Sequence, residues 1–593
     1  MSAGSDATAF AAAFPRVGEE DWRRLVDKAL KGAPFDRLIS RTADGIEIAP
    51  LYARDASGRA PLGRADGGPW RALTRIDHPD AGLAAEQARA DMEGGASGLS
   101  LVFAGARNAY GLGLPEGAAR EALSLDLKDV ALSLNIAAGA SAPEDVATII
   151  EAQGLDPASA HVFFGLAPPD AARAQTLMAR GFRGPFIAAD GRMIHAAGGT
   201  DAQELAFSLA EAVAALRALE GAGVSIDDAR RAIGFRVAVD ADQFASICKL
   251  RALRRLWARV EESCGLQPFP AYIEAETAWR MMTRRDPYVN ALRTTTAAFS
   301  AGVGGADAVV TLPFTQALGL PDAQARRLAR NAQLILIEES NLARVADPAA
   351  GAGGYEALTD ALAQKTWTLF QEIEREGGAA SALLDWPFAV RVAQARQALQ
   401  RDVARRKQPI TGTSEYPNIA EAPVETLSKL PTSFEIGDVF PPMRLAEPFE
   451  RLRDLSDYDL ARNGTRPRVF LATLGGVVAA SARVGFSRAL FEAGGFEIIE
   501  SGELPNAQAA ADAFKASGAA LACLCGPDAA YEESAAAFAK ALAEAGAPKV
   551  WLAGRPGANE AALREAGLTG FVFAGCDAVA ALNEARAALQ EAV

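Results

Sequence analysis

Histidine is the side chain best suited to proton transfer or metal ligation near neutral pH, and this sequence has three: His78, His161 and His195. All precede residue 200. His78 and His161 fall near expected strands, where a lone imidazole is usually structural. His195 lies just past an expected strand, among residues that would sit at the active end of a barrel, and taken alone it is a fair catalytic candidate. The cysteines are Cys248, Cys264, Cys523, Cys525 and Cys576, too scattered for a disulfide framework. Cys523 and Cys525 share one face of an expected strand, but no further ligands are spaced to complete a metal site. They read as buried structural thiols. Gly302–Gly305 and Gly351–Gly354 lack the Lys and Ser/Thr that would meet phosphate and Mg²⁺, and read as turns. The chain contains no H-E-x-x-H, G-x-S-x-G or paired C-x-x-C pattern.

A formal net charge of −14 without a dense basic stripe argues against a nucleic-acid partner. No apolar run approaches the ~18 residues that span a bilayer. Met1–Phe14 is Ala-rich, but Asp6 interrupts it and no basic segment leads it, so a secretory signal is not expected. Five scattered cysteines fit a reducing cytoplasm.

Positioning any site requires elements, and 593 residues imply more than one core. Residues 1–40 read as an arm. Within it Trp22, Leu25, Val26, Ala29 and Leu30 form one helical face, with Gly32 as a stop. That stripe must be buried on its own domain or on a partner, and the sequence does not choose. Residues 41–407 alternate strands and helices. The strand-like runs are Ala72–Ile76, Leu99–Ala104, Val130–Ile136, His161–Leu166, Pro185–Ala189, Phe235–Asp240, Tyr272–Ala275 and Ala308–Leu312. Ser141-Ala-Pro-Glu144 and Thr200-Asp-Ala-Gln203 look like capping boxes. Eight such units predict a parallel (β/α)8 TIM barrel, followed by helices near 322–339, 355–376 and 388–406. The proline-rich stretch 408–465 predicts a wrapping linker. Residues 466–593 carry five more alternating units, which predict a flavodoxin-like doubly wound domain. The loop after its first strand, Gly475 to Ala482, has no charged group and no metal ligand.

This layout resembles the acyl-CoA mutases, and the residues carry the resemblance further. Arg330-Asn-Ala-Gln through Ser340, Arg344-Val-Ala-Asp-Pro348 and Gly351 to Tyr355 resemble the family's R-N-T-Q-x-x-x-x-E-S…R-V-x-D-P-x-x-G-S-x-Y. Lys249-Leu-Arg-Ala-Leu-Arg-Arg-Leu-Trp257 is similar to its K-L-R-A-A-R-x-L-W helix. Lys31 to Phe35 with Asp44 to Tyr52 resembles the small (beta) subunit of methylmalonyl-CoA mutase in particular. The departures fall on the chemistry that the resemblance implies. Arg75 stands where the family's T-I-R-Q-Y has the Tyr at the reacting centre. Phe163 replaces a substrate-binding Gln, and Met193 replaces a His that bonds the thioester carbonyl. His195 is two positions away from that place. The family's cobalt-ligating D-x-H-x-x-G loop has no counterpart between Gly475 and Gly485. Its S-x-L becomes Ala522-Cys-Leu524, and its G-G becomes Gly554-Arg555.

The resemblance therefore implies a non-catalytic subunit with no catalytic, cofactor-binding or metal residues of its own. Its expected partner is a methylmalonyl-CoA mutase large (alpha) subunit in a heterodimer. That partner would hold adenosylcobalamin and interconvert succinyl-CoA and (R)-methylmalonyl-CoA. The alternative is an independent, B12-free acyl-CoA enzyme that uses the barrel, with Arg75 and His195 as a proton-transfer pair.

Overall fold

The structure is a computed structural model that describes residues 17–56, 58, 63–65, 67–384, 386–431 and 439–591. Met1–Phe14, where no secretory signal is expected, and the residues just after it lie outside the described residues. Eight short strands build the first domain: β1 (Arg71–Ile76), β2 (Gly98–Val102), β3 (Ala131–Asn135), β4 (Val162–Phe163), β5 (Ile187–Asp190), β6 (Ile233–Val239), β7 (Tyr272–Thr277) and β8 (Ala308–Val310). Neighbours pair in parallel, β8 pairs with β1, and a Leu166–Ile187 bridge joins β4 to β5. The sheet thus closes into the expected barrel. Strand β4 is shorter than its sequence suggests because Gly165 turns with φ +68°, where an added Cβ would lie 2.0 Å from the Leu134 carbonyl oxygen. Leu166 resumes the ladder by donating its N–H to the Phe186 carbonyl.

Local signals explain the helices between strands. Thr200 closes a full capping box with Gln203 at the head of helix Asp201–Gly221. The similar pattern at Ser141 does not form one. The Ser141 hydroxyl donates to the Asp145 carboxylate, and Glu144 turns instead to Arg173. Helix Ala323–Leu334 passes into a π-turn over Ile335–Glu339.

The stretch read as linker is not irregular throughout. It includes strand Ser428–Lys429, paired with Gly319–Leu320, and ends in helix Glu447–Asn463. Phe449 and Leu452 on that helix are buried in the second domain's core together with Val403 and Ile410. The other buried positions of this helix are polar: Glu450 accepts from Arg284 and Arg444, Arg453 pairs with Glu421, and the Ser456 hydroxyl donates to the Gly495 carbonyl. The helix therefore lacks the apolar stripe by which a sequence reader finds one.

The second domain is a parallel sheet of β9 (Arg468–Thr473), β10 (Glu497–Glu503), β11 (Leu521–Cys525), β12 (Val550–Ala553) and β13 (Gly570–Val572), in the order β10-β9-β11-β12-β13. That is the flavodoxin-like order. The arm helix Glu19–Leu30 buries none of its residues, and Leu25 is 62% exposed. Its Trp22 meets the neighbouring Phe35 edge-on, and Trp22, Val26 and Leu30 are half-buried while Leu25 and Ala29 are exposed, so the chain's own described residues cover the stripe only in part. No helix among the described residues is long and apolar enough to cross a membrane.

Candidate functional site

Alternate residues of each barrel strand face the lumen, and in this chain they meet across it. At the bottom, Leu73, Ala131, Ala308, Val310 and Tyr272 form a small apolar layer. Above it Phe163 of β4 packs edge-on against Tyr272 of β7, with ring centroids 5.5 Å apart. The Arg236 guanidinium of β6 lies 4.2 Å from the Phe163 ring centroid. Arg236 also donates to Glu274 of β7 at 3.1 Å and to Ser133 of β3 at 2.9 Å. Near the C-terminal end, Arg75 of β1 donates to Asp77 at 2.6 Å. Arg192, just past β5, donates to Asp190, to Asn135 of β3 and to Glu276 of β7.

Three guanidiniums and four carboxylates thus meet inside the barrel, all nearly free of solvent except Asp190, which is partly exposed. Burial alone would raise the Asp190 carboxyl, but the Arg192 guanidinium overrides it and holds Asp190 below the usual carboxylate range. Charges removed from water persist only when paired and hydrogen-bonded. Here each arginine meets a carboxylate, so the network is a plug. A molecule running along the axis would have to displace it.

The residues singled out by sequence are distributed differently. Arg75 and Phe163 belong to the plug. Met193 is buried in the apolar core. His195 sits on the short helix Arg192–Ala196, fully enclosed. Burial first, then Arg280 and Lys249, push its imidazole down to about 3, so it is neutral. Its ring faces Asp240, whereas Arg75 binds Asp77 and the Asn108 carbonyl. The structure does not join Arg75 and His195 into a proton-transfer pair. His78 accepts from the Asp80 backbone N–H, and His161 lies 3.1 Å from the Arg71 guanidinium, both structural contacts.

His195, Asp201 and Glu204 bring three potential ligand atoms within 4.8 Å of one another. The Lys249 ammonium already sits among them, donating to Asp201 at 2.9 Å and Glu204 at 2.7 Å. A cation's place is therefore taken by a side chain. Sequence reasoning missed the lumen set of Asp190, Arg192, Arg236, Glu274 and Glu276. Its one available signal was the alternation Tyr-Ile-Glu-Ala-Glu-Thr over β7, which places two carboxylates on the same face as Tyr272.

In the second domain, the ligand crevice of a doubly wound sheet lies outside the carboxyl ends of its strands. Here Gly475 and Gly476 follow β9 with φ +72° and +90°. A Cβ on Gly475 would sit 2.8 Å from the Ala530 Cβ, so the chain passes too tightly there for a larger residue. Helix Val477–Ala493 begins directly after, with Val478 89% exposed. The adjoining crevice, about 850 Å³, is lined from the second domain alone. Arg483 crosses it to the Gly526 carbonyl and Asp528, with its guanidinium 4.8 Å from the Tyr531 ring centroid. The Tyr531 hydroxyl accepts from Gly526 N–H and lies 3.1 Å and 3.0 Å from the Leu524 and Ala553 carbonyls, tying β11 to β12. Cys523 and Cys525 are fully buried against Ser487. No imidazole exists anywhere in residues 466–593. The residues at this edge do not fit a cobalt centre that takes a histidine ligand.

The comparisons with known proteins agree with this architecture. A family model described as methylmalonyl-CoA mutase matches residues 183–436. A methylmalonyl-CoA mutase small subunit from Streptomyces virginiae is 41% identical, over 98% of each chain. The small subunit from Propionibacterium freudenreichii subsp. shermanii is 35% identical, over 96% of this chain and 94% of that one. A protein named methylmalonyl-CoA mutase from Cereibacter sphaeroides is 28% identical, over 68% of this chain and 65% of its own length. With near-complete coverage, a closed barrel and a flavodoxin-like second domain, the chain belongs to the methylmalonyl-CoA mutase family, on its small-subunit side.

Proposed function

We propose that this chain is the non-catalytic subunit of a heterodimeric, adenosylcobalamin-dependent methylmalonyl-CoA mutase. The large subunit holds the cofactor and interconverts succinyl-CoA and (R)-methylmalonyl-CoA in the cytoplasm. This chain binds no cobalamin and stabilises the assembly. The observation that carries the reading is the plugged barrel: Arg75, Arg192 and Arg236 with their carboxylates occupy the axis of the (β/α)8 domain. A second observation supports it. The C-terminal crevice and the cavity at the barrel mouth are each lined from a single domain, so neither joins a cofactor on one to a substrate on the other. The names of the relatives, small subunits of methylmalonyl-CoA mutase, support a large subunit as the partner.

The reading is tested by titrating the purified chain with cobalamin and assaying mutase turnover with and without the large subunit. The chain is expected to emerge colourless from gel filtration and to show no turnover alone. Met193→His is expected to remain inactive, because residues that act as a unit are not restored singly. Retained cobalamin near stoichiometry, or turnover by the chain or by that variant alone, would sink the proposal.

A further inference from the structure

Beyond the plug, a cavity of about 890 Å³ remains at the C-terminal mouth of the barrel. Loops following β2, β3 and β4 wall it on one side. Ala380 and Leu383 of the helix Ala379–Leu384 close it on another. Pockets of this size hold small organic ligands. Its walls are mainly alkyl, including Leu112, Ile136, Leu166 and Pro168, which suits an apolar body.

Its polar side is not uniform. Arg192 and Arg236 reach the cavity but are committed to Asp190, Glu276 and Glu274. Arg107, on the loop after β2, is not. Its side chain is 40% exposed, and it makes no hydrogen bond among the described residues. Its ion-pair neighbour, Glu211 Oε1, lies 3.8 Å away, beyond hydrogen-bond reach. The other oxygen of Glu211 accepts from the Asp190 backbone N–H at 2.7 Å. Burial, with Asp190 adding to it against the opposing pull of Arg107, pushes the Glu211 carboxyl up to about 8. A carboxyl so raised favours its neutral form, and Arg107, although it feels the Asp190 charge, holds no carboxylate at hydrogen-bond distance.

A lone guanidinium at the rim of an apolar cavity, beside a carboxyl able to donate its proton, is a receptor for a single carboxylate. Arginine meets carboxylates through two parallel N–H donors. A dianion would be under-compensated here and would face Asp190 and Asp170. We propose that this cavity binds an amphipathic monocarboxylate, with the carboxylate on Arg107 and the alkyl or aryl body against Leu166 and Leu383. The proposal goes beyond the assignment of a silent subunit and does not depend on it.

The test is calorimetric titration of decanoate and 4-phenylbutyrate into the full-length chain at pH 7, purified alone or with its partner, with decanamide and decylamine titrated in parallel. At least one acid is expected to bind tenfold or more tightly than decanamide, and decylamine is expected not to bind. Arg107→Gln, at an exposed side chain, is expected to erase that margin. Ala380→Trp, or Leu383→Trp if the first does not fold, is expected to fill the cavity and weaken acid binding at least tenfold. Glu211→Gln should bind as the parent does at pH 7 and should not lose affinity as pH rises through about 8. Absence of binding by both acids at millimolar concentration, equal binding of decanamide, or heat that survives both the Arg107 and the cavity-filling substitutions would each overturn the proposal.

Discussion

Arg236 illustrates what a single residue does in this barrel. It ties β6 to Glu274 on β7 and to β3 across the lumen, and Glu274 is almost free of solvent. Removing one member of a buried pair leaves the other charge unmatched, at a cost of ~3–5 kcal/mol, whereas replacing both with apolar groups is often neutral or better. Arg236→Met is therefore expected to lose a few kcal/mol in urea unfolding at pH 7. Arg236→Met combined with Glu274→Leu is expected to recover most of that loss. Equal stability of the single variant and the parent would show that the plug does not hold the barrel together. The family motifs point to Arg75, Phe163 and Met193, but not to the network that surrounds two of them. A strand carrying Glu274 and Glu276 on alternate positions looks half-solvated in sequence. Only closure of the barrel turns that face inward, where arginines from other strands meet it.

At the scale of elements, strong local signals were legible and tertiary substitutions for them were not. The Thr200 capping box formed because Gln203 reaches back to the Thr200 N–H. The Ser141 pattern failed because Ser141 is itself in the helical conformation rather than extended, and the Glu144 carboxylate is taken by Arg173 instead of reaching back. Helix Glu447–Asn463 was hidden because Glu450, Arg453 and Ser456 take much of its buried face, alongside Phe449 and Leu452. The arm helix is the reverse case. Its apolar stripe was evident, and the described residues cover it only in part, leaving Leu25 and Ala29 exposed. A buried Trp or Leu contributes roughly 1.5–3 kcal/mol. If the stripe seats on the large subunit, Trp22→Ala with Leu25→Ala should weaken assembly at least tenfold while leaving the chain's own unfolding transition unchanged. Sedimentation velocity of the co-expressed pair measures this. Undiminished assembly by the double variant would place the contact elsewhere.

For the whole molecule, the two domains and their order followed from alternating strands and helices, while their mutual attachment did not. Val403 from the end of the barrel domain and Ile410 from the start of the connecting stretch enter the second core, and Arg586 of the last helix pairs with Asp459. These contacts join residues far apart in sequence, which no local pattern announces. Two chains of one architecture are expected to pair about a pseudo-two-fold axis, with chemistry on one side only. The most direct measurement of that asymmetry is the cobalamin content of the purified complex, determined by absorbance or cobalt analysis after saturation and gel filtration. One cobalamin per pair of chains is the expected result, unchanged when the large subunit is paired with this chain carrying Arg483→Ala. Two cobalamins per pair would contradict the account.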